Sequence, residues 1–179
     1  NDASGNNNQM MDYFESVMLD LSLENIGLVD AANIEATLRS SSPFATITDS
    51  TESYGDINAQ QIVTIEDAFA FDIANDIPDM EVVLFQVVTT DGTDTWVSNF
   101  SIVGHAPVLV YDNYFIDDAS GNGNERLDPG ETANVAISVS NTGSCEAYNL
   151  LGNLSTATNG ITVNSNNISY GILDAGNSG

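Results

Sequence analysis

Asp118-Ala119-Ser120-Gly121-Asn122-Gly123-Asn124-Glu125-Arg126-Leu127-Asp128-Pro129-Gly130-Glu131 sets acidic and amide side chains between glycines. A hard cation such as Ca2+ asks this of a loop: several oxygen ligands on a backbone free to fold around the ion. The spacing Asp118-x-Ser120-x-Asn122-Gly123-Asn124 imitates the start of an EF-hand. The rest departs from it. The twelfth position, where an EF-hand carries a bidentate Glu, is Pro129, and an alternating strand pattern follows instead of a helix. The stretch therefore reads as a metal loop on a β-fold. Its expected ligands are Asp118, Asn122, Asn124, Asp128 and Glu131, with Asp117 as a further candidate and backbone carbonyls completing the set. Gly121, Gly123 and Gly130 would supply the unusual backbone angles.

The stretch occurs twice. Asp2, Asn6, Asn8, Asp12 and Glu15 stand at a constant offset of 116 from the five expected ligands, and the match runs without a gap to the end of the chain. Nineteen of the sixty-two positions from 2 to 63 equal their partner, where unrelated pairing gives about one in fifteen to twenty. Such a repeat takes precedence over other fold reasoning. Within the loop the first copy replaces Gly123, Pro129 and Gly130 by Asn7, Tyr13 and Phe14 but keeps every expected ligand. Ligands that persist while turn residues drift favour an ion over a mere turn. The expected cofactor is a structural Ca2+ in each loop. The change at Tyr13-Phe14 bears on how fully the first loop is occupied.

Outside the loops the chain alternates in period two. Val17–Leu23, Asn33–Leu38, Phe44–Thr48, Ile62–Ile65, Ala68–Ile73, Glu81–Thr89, Thr95–Val103 and Val108–Ile116 read as strands, with a hairpin signal at Asp91-Gly92. Asp49–Gly55 reads as a polar loop. After Glu131 the pattern restarts with Val135–Val139, Tyr148–Leu154 and Ile161–Val163. No segment has helical periodicity. The expected fold is all-β: tandem immunoglobulin-like β-sandwiches with a 116-residue repeat, the second copy incomplete. The expected domains are 1–106, a repeat lacking its first strand, and 107–179, the first half of the next. A chain opening inside a repeat is expected to be a piece of a longer protein. Open sheet edges invite pairing with another chain.

Composition narrows the partners. Arg39 and Arg126 are the only Lys or Arg residues against 26 Asp plus Glu, and the net charge is -24. Nucleic acid and anionic membranes both need Lys and Arg to meet phosphate, so neither is an expected partner. No apolar run is long enough to insert as a helix. An acidic surface also serves solubility alone. Cys145 is the single cysteine. With His105 it could suggest a thiol nucleophile, but it aligns with Val29, which marks a small apolar position. No pair of carboxylates is singled out for catalysis, and no enzymatic activity is expected. Tyr13, Phe14, Tyr111, Tyr114 and Phe115 could stack on a glycan or pack in a core.

Asp118 to Glu131, followed by an alternating strand and Asn141-Thr142-Gly143, resembles the immunoglobulin-like modules downstream of the catalytic domain in gingipain-type cysteine peptidases, and adhesion-related domains of secreted Bacteroidetes proteins. The resemblance implies an extracellular or cell-surface location and a non-catalytic role as stalk, adhesive or fibre unit. The peptidase Cys and His pair has no counterpart here. Neighbouring repeats or copies of the same protein are the expected partners, with a surface glycan as a further one. Two alternatives are a carbohydrate-binding module of a secreted enzyme and a filament subunit whose neighbours share strands.

Overall fold

The structure is a computed structural model. It describes residues 5, 6 and 8–179, and in these the regular elements are twelve β-strands. The chain divides into two compact units, residues 1–105 and 106–179.

In the first unit, β2 (Ser16–Glu24), β6 (Ile62–Ile73) and β4 (Ala45–Asp49) form one sheet in the order β2-β6-β4. The second sheet runs β1-β8-β7-β3-β5, from β1 (Met11–Asp12), β8 (Thr95–His105), β7 (Val82–Thr90), β3 (Ala31–Ser40) and β5 (Thr51–Ile57). Alternation sends Ile34, Ala36 and Leu38 of β3, Val83, Phe85 and Val87 of β7, and Phe69, Phe71 and Ile73 of β6 into one core. Phe71 and Phe85 meet across the two sheets with ring centroids 4.7 Å apart. Phe85 stacks on Phe100 of the neighbouring strand at 5.2 Å. These contacts make the unit a two-sheet sandwich.

Two details depart from the alternation pattern. Ile62–Ile73 is one strand, because a positive φ at Asp67 and a register shift let β6 bulge and continue. Thr51–Ile57, which reads as a polar loop, is the edge strand β5. It pairs with β3 through two register shifts, the first opposite Gly55 (φ +66°). An edge strand with one solvated side carries no apolar run.

In the second unit, β9 (Leu109–Asp117) pairs antiparallel with β10 (Asn134–Asn141), and β11 (Ala147–Asn153) with β12 (Asn167–Leu173). The β11–β12 ladder reproduces the β3–β5 ladder at the offset of 116. Ala31↔Ile57 becomes Ala147↔Leu173, and Ile34↔Gly55 becomes Leu150↔Gly171, with both register shifts in place. Positive φ recurs at Asn33 and Asn149, and at Gly55 and Gly171. The Tyr54 hydroxyl donates to the Leu21 carbonyl at 2.9 Å, as Tyr170 does to Ile137 at 2.8 Å. Asn25 Nδ2 bonds the Val29 and Ile57 carbonyls, and Asn141 Nδ2 bonds those of Cys145 and Leu173. Residues 161–163 are not a strand. Their counterpart β4 is held by β6, and the 179 residues contain no counterpart of that partner beyond its first two positions.

Candidate functional site

The two oxygen-rich loops fold alike. Each ends with a carboxylate aimed back at its own backbone. In the second loop Glu131 Oε1 accepts the Asn122 N–H and Oε2 the Asp128 N–H, both at 3.2 Å. In the first, Glu15 accepts from Asn6 and Asp12 at the same distances. Gly5 and Gly121 make room for these glutamates: a Cβ on Gly121 would lie 2.7 Å from Glu131 Oε1, and one on Gly5 would collide with Glu15.

The asparagines act in two directions. Asn122 Oδ1 accepts the Asn124 N–H (3.1 Å) and Asn124 Oδ1 the Arg126 N–H (2.9 Å), two successive Asx turns. Their Nδ2 groups converge on Asp128 Oδ2 at 2.8 and 2.9 Å. Asn6, Asn8 and Asp12 repeat the pattern at 3.1 and 2.9 Å. The turns carry positive φ at Gln9 and Glu125, and at Phe14 and Gly130. Asp118, at 2% exposure, takes the Asn124 and Glu125 N–H groups on its two oxygens. Its counterpart Asp2 lies outside the described residues. Asp117, at the end of β9, caps the Ala119 N–H and does not join the Asp128 cluster.

The structure thus brings Asn122, Asn124 and Asp128 together and turns Asp118 and Glu131 onto backbone N–H groups. Among the described residues no three Asp, Glu, His or Cys side chains converge closely enough to hold a metal. The donor chemistry nevertheless fits a hard cation. Every functional side chain offers oxygen, and each amide oxygen keeps a second lone pair. In the first loop Asp12 is 2% exposed, and its Oδ1 is the buried side-chain atom without a hydrogen bond among the described residues. A buried carboxylate oxygen without a partner is costly.

The electrostatics follow the hydrogen bonds. The Asn122 and Asn124 side-chain amides, in that order, hold the Asp128 carboxyl below the ordinary carboxylate range, against the opposing effect of burial. The Arg126 charge adds to the lowering. Cys145 is buried, as expected of an inert thiol, although its counterpart Val29 in the first unit is 79% exposed. On β9, Tyr111 and Tyr114 share a face because the β9–β10 register shift intervenes between them, while Phe115 points to the other side.

No family model matches the chain, and no curated protein matches it. Among solved structures it is similar to the chaperone–tip adhesion subunit pre-assembly complex of the archaic chaperone-usher Csu pili of Acinetobacter baumannii. Identity is 11% over 94% of this chain and 81% of that chain, with a TM-score of 0.26. At that score the likeness does not extend to function.

Proposed function

We propose that the chain is a non-catalytic, Ca2+-stabilised segment of an extracellular or cell-surface protein. It would serve as a spacer or fibre-forming stalk built from immunoglobulin-like repeats of the kind its loop sequence resembles. The observation that carries the reading is the buried Asp12 carboxylate, whose Oδ1 has no hydrogen bond among the described residues while Oδ2 takes two amide donors. In the first loop Asp12, Asn6, Asn8 and Glu15 would hold the ion, and in the second Asp128, Asn122, Asn124 and Glu131. The cation would neutralise clustered carboxylates and tie each loop to the strand that follows. The strongly acidic composition suits a partner that is a cation.

Ca2+ bound only by the folded state must raise stability by mass action, about 2.7 kcal/mol at a hundredfold excess over Kd. Thermal unfolding in millimolar Ca2+ is expected several degrees above that in chelator, and isothermal titration should show saturable uptake. Identical melting in both conditions with no uptake would sink the reading.

A further inference from the structure

In the first unit, the alternation that fills the core also composes the outer face of the five-stranded sheet. On β3, Ile34, Ala36 and Leu38 are buried, Glu35 and Arg39 are exposed, and Thr37 lies between these two, half-buried. The ladders align three rows across that face. Thr51, Thr37, Val88 and Val97 form the middle row. Arg39, Gln86 and Asn99 lie on one side of it, and Glu35, Thr90 and Thr95 on the other. Arg39 is the only Lys or Arg of this unit, and among the described residues it makes no ion pair. Glu35 stands four residues along the strand, about 13 Å away and out of direct reach. At the offset of 116 stand Leu151 and Ser155, so the second unit lacks both charges together.

We propose that this face docks on the same face of a second copy of the chain, about a two-fold axis running across the strands along the middle row. A two-fold contact requires that where residue i meets j, j also meets i. The rows meet that condition. Rotation about the axis lays the middle row on its own image, so Val88 and Val97, the latter 54% exposed, cover their equivalents. It brings Arg39 opposite the second copy's Glu35, and Glu35 opposite the second copy's Arg39. Gln86 then faces Thr90, and Asn99 faces Thr95, pairs that can hydrogen-bond. Packed sheets lie about 10 Å apart, a gap that one arginine and one glutamate side chain span together. The angle of about 30° between such sheets shifts residues one row from the axis by roughly 3–4 Å, within the play of two long side chains.

Charge selects this occupant. A molecule of net charge -24 repels polyanions. Its face instead offers one positive and one negative group, set symmetrically about the centre, and so complements itself. Four strands about 4.8 Å apart, overlapping along about 20 Å, bury on the order of 1,000 Å2 from the two copies together, the threshold for a specific interface. The inference goes beyond the proposed stalk role and does not depend on Ca2+.

The test uses the full chain in sedimentation equilibrium over a wide concentration range, in about 0.15 M salt to screen the net charge. A reversible monomer–dimer equilibrium is expected. Arg39→Glu and Glu35→Arg each turn two attractive contacts into two repulsive ones, because symmetry counts every change twice. Each should weaken the dimer tenfold or more and leave thermal unfolding of the monomer nearly unchanged, since both side chains are exposed. Mixing the two variants sets two carboxylates against two guanidiniums and should restore a dimer, now mixed. The double variant E35R/R39E should dimerise with itself. A wild-type monomer at every concentration overturns the proposal. So do dimers unchanged in both single variants, or single variants that weaken the dimer without rescue in the mixture and in the double variant. The same runs in chelator separate this inference from the metal. A dimer that persists without any Ca2+ effect on melting removes only the cation, and a Ca2+ effect in a strictly monomeric chain removes only the dimer.

Discussion

The loops 5–15 and 121–131 make the same hydrogen bonds at the same offsets, yet Asp12 is buried and Asp128 is not. The difference comes from β8. In the first unit Met11 and Asp12 pair in parallel with Gly104 and His105, and the Tyr13 N–H reaches the His105 carbonyl at 2.8 Å. Among the described residues no strand pairs with Leu127 and Asp128 in the second unit. The hydrogen-bond pattern is thus a local property of the loop sequence, while its burial, and with it the cost of disturbing it, is supplied from more than ninety residues away in sequence. Glycine usage differs in the same sense. Phe14 holds φ +61° where the second loop has Gly130 at +85°. A packed loop can carry a strained residue that an exposed one avoids.

The largest expected effect breaks the comparison at its buried end. Asp12→Ala removes the acceptor of two amide donors and should cost about 2–3 kcal/mol, whereas Asp128→Ala, in a more open setting, should cost clearly less. Chemical denaturation of both variants checks this, and equal losses would show that β8 contributes nothing to the difference. Next in size is the tyrosine shared by both units. Tyr54→Phe loses the bond to Leu21 and should cost about 1 kcal/mol. Burial, then the Glu52 charge, pushes the Tyr54 phenol up to about 12. A raised phenol contributes stability that is whole below its unfolded pKa, about 10, and is lost as pH climbs from there through about 12. Alkaline unfolding should track the ultraviolet titration of Tyr54 and shift in the Phe variant.

Phe14→Gly sharpens the comparison in the other direction. It relieves a left-handed backbone at a side chain that is 77% exposed, and should stabilise by about 0.5–1 kcal/mol, while Gly130→Phe should destabilise by a similar amount. The smallest effect is in acid. Because Asn122 and Asn124 depress the Asp128 pKa, the contribution of Asp128 is present above the unfolded carboxylate value near about 3.9 and disappears as pH falls through its lower folded value. In carboxyl NMR titrations Asn122→Ala should move Asp128 back toward the ordinary range. An unmoved midpoint would show that the amide is not the cause.

Much of this was readable in the sequence because it is local. The identity of Asp, Asn and Glu at fixed spacing dictates the Asx turns and the glutamate cap, and the offset of 116 reappears in the ladders and the positive φ positions. What could not be read was partner geometry. Counting oxygens at Asn122 and Asn124 does not reveal that their amide nitrogens, not their oxygens, face Asp128. Nor does alternation reveal β5, whose half-solvated edge position hides it. Ile161–Val163 alternates well enough for a strand but has no β6-like partner to bond, and backbone groups without a ladder do not make a sheet.

One further consequence lies in Arg126. The chain has no lysine, and its other arginine, Arg39, lies within β3, paired with Gln86 of β7. Arg126 sits at an exposed turn of the second loop. A protease specific for basic residues therefore finds its most exposed target in the folded molecule at Arg126–Leu127, and the rate of that cut reports how readily the second loop adapts to the protease.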